Sequence, residues 1–156
     1  MTPSSPAPLP HPGEGQWKRP ASVLVVVYTA ADEVLVMRRR QPPDFWQSVT
    51  GSLEWSETES LVAAQRELQE ETGLSGVDII ACGVTNRFPI LPAWQHHYPP
   101  EVVENVEQVF QVRLPVRKPI TLNPAEHDHY EWLPRELAAA RVSSWTNRAA
   151  ILNLPS

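Results

Sequence analysis

Residues 59–72 contain neither glycine nor proline, and Gly73 stands where a helix C-cap falls. Leu, Ala, Gln, Arg and Glu fill the stretch, so the sequence predicts a helix over 59–72. At about 100° per residue, Glu67, Glu70 and Glu71 share an arc of about 100°. Leu61, Ala64 and Leu68 fall on the adjoining arc, which is expected to face a core. Carboxylates at this spacing repel one another by about 0.2–0.5 kcal/mol per pair, and a divalent cation is the natural offset. Mg2+ suits such a set, since it takes oxygen ligands, keeps waters and binds through a few carboxylates plus substrate phosphates. Arg66 lies one turn before Glu70 and offers that carboxylate an i,i+4 ion pair instead. Three glutamates alone do not separate a cation site from a solvated acidic face.

The flanking sequence supplies strands. Val23 to Tyr28 is largely β-branched and unbroken, as for a strand buried on both faces. Ala30 to Glu33 reads as a turn, Val34 to Met37 as the returning strand, and Phe45 to Thr50 as a third strand stopped by Gly51. Val77 to Thr85 and Phe110 to Leu114 read as further strands, His129 to Leu133 as a short one. Residues 89–105 carry four prolines and read as a long connection over a binding site. Two helices are expected at 134–140 and 144–153, with Ser144 as the N-cap of the second. Strands and helices in this order predict an α/β chain of the α+β type, a mixed sheet covered by helices.

Composition narrows the function. The chain has 156 residues, enough for one domain, with 42% apolar and 20% charged residues. Thirteen basic against 18 acidic residues leave a net charge of −5, which argues against broad nucleic-acid binding. Cys82 is the single cysteine, so no internal disulfide framework or cysteine-built zinc site exists. The longest apolar stretch, residues 21–31, is too short to span a membrane and is interrupted by Ser22 and Thr29. Residues 1–16 hold five prolines in their first twelve positions and read as a disordered arm ahead of a domain at 17–156. That arm lacks the pattern of a secretory signal, so a cytoplasmic chain is expected.

Arg66-Glu67-Leu68-Gln69-Glu70-Glu71-Thr72-Gly73-Leu74 resembles the core of the Nudix box, R-E-U-x-E-E-x-G-U, at every specified position. Gly51 and Glu57 are similar to the box's Gly-x5-Glu opening. Eight residues separate Glu57 from Arg66 where the family pattern has seven, and Ser56 stands where glycine is usual. The resemblance implies a Nudix α/β/α sandwich, with the mixed sheet between helices. It also implies hydrolysis of a nucleoside-diphosphate-like linkage with the help of Mg2+, or Mn2+ in its place.

Four further segments resemble the bacterial dihydroneopterin triphosphate diphosphatases within that family: Lys18-Arg19-Pro20, residues 43–52, Glu126-His127 with Trp132, and residues 144–148. That resemblance implies metal ligands at Glu67, Glu70, Glu71 and Glu126, with Glu70, Glu126 and Arg66 in the catalytic set. It further implies substrate contacts at Lys18, Arg39, Thr50, Phe88, Pro89, Ile90, Leu91 and Ser144. By their own chemistry Lys18 and Arg39 suit phosphate oxygens, although Arg38-Arg39-Arg40 also reads as a solvated strand end. Phe45 and Trp46, adjacent on a strand, face opposite sides, one for the core and one for a flat ring. Trp145 is expected in the core. The expected substrate is a small molecule, the pterin triphosphate or else a nucleoside triphosphate such as dATP or another nucleoside-diphosphate derivative; a Nudix-fold binding module without catalysis is the remaining alternative. The sequence leaves monomer and homodimer open.

Overall fold

The computed structural model describes residues 17–156, so the arm at 1–16 and its expected disorder lie outside the described residues. The order along the chain is β1 (Ala21–Thr29), β2 (Glu33–Arg39), β3 (Trp46–Gln47), β4 (Val49–Ser52) and α1 (Ser60–Thr72). β5 (Ile80–Pro89), a short 3-10 helix (Pro92–His97), β6 (Glu104–Leu114), β7 (His127–Pro134), α2 (Arg135–Arg141) and α3 (Trp145–Leu152) follow.

The seven strands form one mixed sheet around β1, whose unbroken apolar run is explained by helices on both faces. Val23, Val25 and Val27 enter one core with Ala63, Ala64 and Leu68 of α1. Leu24, Val26 and Tyr28 enter a second core with Ala138 and Ala139 of α2 and Ile151 of α3. The layers are therefore helix, sheet, helix, as expected. β1 runs parallel to β6 over its whole length, from Ala21↔Val106 to Thr29↔Leu114. On its other edge it meets β2 only at Tyr28↔Val34, and its first half pairs with β4 instead.

Three boundaries differ from the sequence reading. The strand expected over 45–50 is two short strands, because Ser48 leaves the ladder. Its backbone N–H donates to Asn147 Oδ1 at 2.8 Å, and Asn147 Nδ2 donates to its hydroxyl at 2.9 Å. There the chain changes partner, from β2 to β1. β5 starts later and ends later than expected, with a register shift between Ala81 and Thr85 that brackets Gly83 at φ 71. The connection at 89–105 is partly structured, since it contains the 3-10 helix and the start of β6.

The buried stripe of α1 also differs. Leu61 is exposed, whereas Ala63, Ala64, Glu67, Leu68, Glu71 and Thr72 are buried. The helix is rotated so that two of its glutamates point at the sheet and only Glu70 faces outward. Gly73 caps it as expected, at φ 77, its N–H bonding Gln69 O.

Candidate active site

Glu71 has no exposed surface, and neither of its carboxylate oxygens has a hydrogen-bond partner. Burial, then the neighbouring charges of Glu67 and Glu126, push its carboxyl well above the ordinary carboxylate range. The Thr50 backbone pulls the other way, without reaching hydrogen-bonding geometry. Glu67 is buried as well, and burial raises its carboxyl too. Its carboxylate lies over Gly51: a Cβ at that position would stand 2.0 Å from Oε2 and 2.1 Å from Cδ. A side chain at 51 would fill the space that the carboxylate occupies.

Arg66 organises this cluster. Its Nε and Nη2 donate to the two oxygens of Glu57 at 3.0 and 2.9 Å, and Nη2 also donates to Ser52 O at 3.0 Å. Nη1 donates to Glu67 at 3.0 Å and, more weakly, to Glu70 at 3.4 Å. The i,i+4 pair anticipated from spacing is thus the longest of its hydrogen bonds. The hydrogen bonds to Glu57, and then the charge of Glu67, make Arg66 hold its proton more tightly than an ordinary guanidinium. Its fork is committed to protein oxygens, so Arg66 positions carboxylates.

Glu67 and Glu71 are hard oxygen donors, and Glu126 lies close enough to act on the Glu71 carboxyl, which is the chemistry a divalent cation takes. Unpartnered oxygens on a buried carboxylate are costly, and a cation beside them would remove the cost. Among the described residues, no three acidic, histidine or cysteine side chains are gathered at ligating spacing.

The expected phosphate-binding pair comes together in space. Lys18 and Arg39 line one small recess with Trp94, His97 and Tyr98. The Arg39 guanidinium lies 5.7 Å from the Trp94 ring centre, and its Nε donates to Gln41 O at 2.7 Å. Lys18 is fastened through its backbone N–H to His97 O at 2.7 Å. Burial first, and then Lys18, His96 and Arg39, hold the His97 imidazole below its ordinary value, so positive charge is concentrated here. Phe45 meets Trp94 at 5.4 Å between ring centres, while Trp46 packs into the second core, which resolves the two expected faces. Trp94, His97 and Tyr98 sit in the segment read as a connection, where no spacing signalled them.

Thr50 spends its hydroxyl proton on Val23 O at 3.0 Å, leaving its oxygen as an acceptor. Ser144 caps α3 as expected, accepting from the Asn147 N–H at 3.1 Å, whereas Trp145 is 63% exposed instead of core. Phe88 and Pro89 close β5, with Phe88 half-buried, and Ile90 and Leu91 lead into the 3-10 helix. Glu126 sits half-buried in the turn after Asn123, which accepts its backbone N–H at 3.0 Å. His127 is buried beneath it, 3.1 Å from the Gln47 amide nitrogen. Burial, with Arg39 nearby, lowers its imidazole to about 4, so it is neutral at pH 7.

Residues 18–153 match the NUDIX domain family. The chain is a member of that family. The Nudix chain is 44% identical over 140 residues to the dihydroneopterin triphosphate diphosphatase of Escherichia coli strain K12, covering 86% of this chain and 91% of that protein. It is 35% identical over 141 residues to the protein of the same name from Haemophilus influenzae, covering 87% of each. The solved structure of the E. coli dihydroneopterin triphosphate pyrophosphohydrolase superposes with a TM-score of 0.81 at 43% identity, over 86% of this chain and 94% of that one. Within this Nudix domain the longer spacing between Glu57 and Arg66 does not part the two side chains. The helix opens on Glu59 in extended conformation, and Glu57 keeps both carboxylate oxygens on Arg66.

Proposed function

We propose that this Nudix pyrophosphohydrolase converts 7,8-dihydroneopterin triphosphate to the monophosphate and pyrophosphate, in the cytoplasm, as a step toward folate. The observation that carries the reading is the pairing of an unpartnered buried carboxylate, Glu71, with a separate cationic recess, in a chain so similar to named diphosphatases of that substrate. Polyphosphate hydrolysis needs both parts, one for a cation and one for phosphate oxygens.

Glu67, Glu71 and Glu126 would hold Mg2+, or Mn2+ in its place. When bound, the cation supplies neutralisation of phosphate charge and a more acidic water. Lys18 and Arg39 bind the triphosphate, Lys18 as a point charge and Arg39 as a fork. Glu126 or the outward-facing Glu70 accepts the proton of the attacking water. Arg66 fixes Glu67, and Glu57 fixes Arg66. Thr50, Ser144 and residues 88–91 border the ring. Their support is the resemblance.

Pyrophosphate release from dihydroneopterin triphosphate, dATP and the other nucleoside triphosphates, with Mg2+ and with EDTA, tests the proposal. The expected result is a kcat/KM for the pterin well above every nucleotide, abolished by EDTA. Equal or better turnover of dATP would assign the enzyme to nucleotides instead, and no release from any substrate would remove the catalytic reading.

A further inference from the structure

A row of polar side chains crosses the face of the sheet beneath α3. Ser22 of β1 stands in register with Ser52 of β4 and with Glu107 of β6, and Glu107 with Asn86 of β5. At about 4.8 Å per strand, the row runs about 14 Å across the sheet. It begins at the residue after Gly51, where the Glu67 carboxylate rests. The next positions along the same face, Leu24 and Val109, are core residues.

Glu107 is only 5% exposed. Asn86 Nδ2 donates to its Oε1 at 3.2 Å, and the Thr146 hydroxyl lies near enough to lower its carboxyl slightly, but no cation contributes to its environment. Burial accordingly raises its carboxyl above the ordinary range. Asn105, two residues earlier on the same face and equally buried, donates to Ser22 Oγ at 2.7 Å and leaves Oδ1 without a partner. Phe88 stands opposite Asn105, and Thr146 follows the Ser144 cap at the start of α3. A cleft of about 400 Å³ between β5, β6 and α3 reaches Asn86 and Thr146. A buried carboxylate without a cation and a buried amide oxygen without a donor are two acceptors that the fold leaves short of N–H groups.

We propose that Glu107, with Asn105 and Asn86 beside it, reads the ring of the substrate, its carboxylate accepting the adjacent ring N–H and amino N–H of a 2-amino-4-oxopyrimidine edge. This rests on the pterin reading above and adds the residue that selects the ring. A pterin and guanine both present that pair of donors. Adenine presents an amino donor beside a ring acceptor, which would face the carboxylate with like charge. A site built to pair polar groups discriminates strongly against a ligand that leaves them unpaired.

Glu107→Gln keeps the shape but replaces one acceptor by a donor. The expected result is a fall of at least about 100-fold in the ratio of kcat/KM for dihydroneopterin triphosphate over dATP, with a parallel fall in the dGTP to dATP ratio. Fluorescence titration with neopterin, which has the ring but no phosphate, should show at least about tenfold weaker binding without any metal. Equal losses on pterin and adenine substrates, or unchanged ratios and neopterin affinity, would overturn the assignment. Asn105→Ala, expected to lower the same ratios about tenfold, carries the test if Glu107→Gln fails to fold. If the wild type ignores dihydroneopterin triphosphate but prefers dGTP to dATP through Glu107, the pterin reading fails and the ring assignment stands. A wild type preferring dATP to both refutes Glu107.

Discussion

Gly51→Ala adds one methyl group at the most crowded point of the carboxylate cluster. The new Cβ would lie 2.0 Å from Glu67 Oε2 and 2.6 Å from Oε1. To regain ordinary contact the carboxylate must retreat by about 1.4 Å, far beyond the ±0.2 Å that metal–oxygen distances tolerate. The backbone does not resist, because Gly51 is not among the glycines with positive φ, and alanine suits a strand. Stability should therefore change by less than about 1 kcal/mol, helped by the smaller entropy of the unfolded alanine chain. The loss should appear in the cation. An ~10–100-fold rise in the Mg2+ concentration for half-maximal rate is expected, with a kcat/KM about 100-fold lower at fixed Mg2+. Mg2+ titrations of pyrophosphate release, alongside thermal melts, measure both. Glu67→Ala empties the space, so Gly51→Ala added to it should cost nothing further, and the cycle should be strongly non-additive. A Gly51→Ala enzyme with wild-type Mg2+ dependence, or additive losses in the cycle, would refute the view that Gly51 exists to seat Glu67.

Glu71→Gln should lower kcat by at least about 1,000-fold and abolish the rise in melting temperature that Mg2+ gives the wild type, while the metal-free protein loses no stability because a buried charge has gone. Glu57 is held below its ordinary value of 4.5 by Arg66, so its pairing stabilises the fold fully at neutral pH and is lost as pH falls through the depressed value. Glu57→Gln should flatten the acid limb of the urea-midpoint profile below about pH 4.5 and lower kcat/KM about tenfold through a loosened Arg66. His127, at about 4 when folded against an ordinary 6.5, binds its proton more readily unfolded, so stability falls as pH drops from 6.5 to 4. His127→Asn should remove on the order of 1–3 kcal/mol of that slope, read from urea midpoints between pH 7 and pH 4.5.

The sequence disclosed the helix and its charge but not its rotation. Periodicity gave Glu67, Glu70 and Glu71 one arc, and the natural assumption sends carboxylates to solvent. The structure instead buries Glu67 and Glu71 and exposes Leu61. The chain can do so because Gly51 leaves room for one carboxylate and Arg66 balances it. Neither fact is visible from helical spacing, since Gly51 lies outside the helix and the i,i+4 rule pairs Arg66 with Glu70, not with its neighbour Glu67. β1 was legible for the opposite reason: a strand covered on both faces must be apolar throughout, whatever its neighbours.

What stayed hidden shares one cause. Trp94, His97 and Tyr98 lie among prolines, and Asn105 and Glu107 lie in a strand half that breaks the clean alternation seen at 110–114. Patterning detects residues that fold the chain, because burial imposes a period on them. Residues that meet a ligand break the period, as Glu107 does between the core positions of β1 and β6. Its raised carboxyl makes the charged form unfavourable in the folded chain as pH rises above the ordinary carboxylate range. A fold selected for stability alone would place an apolar side chain there, as it does at Val109 two residues on. The polar row beneath α3 is therefore best understood from the ligand side, as acceptors to which this chain provides a single N–H group, from Asn86.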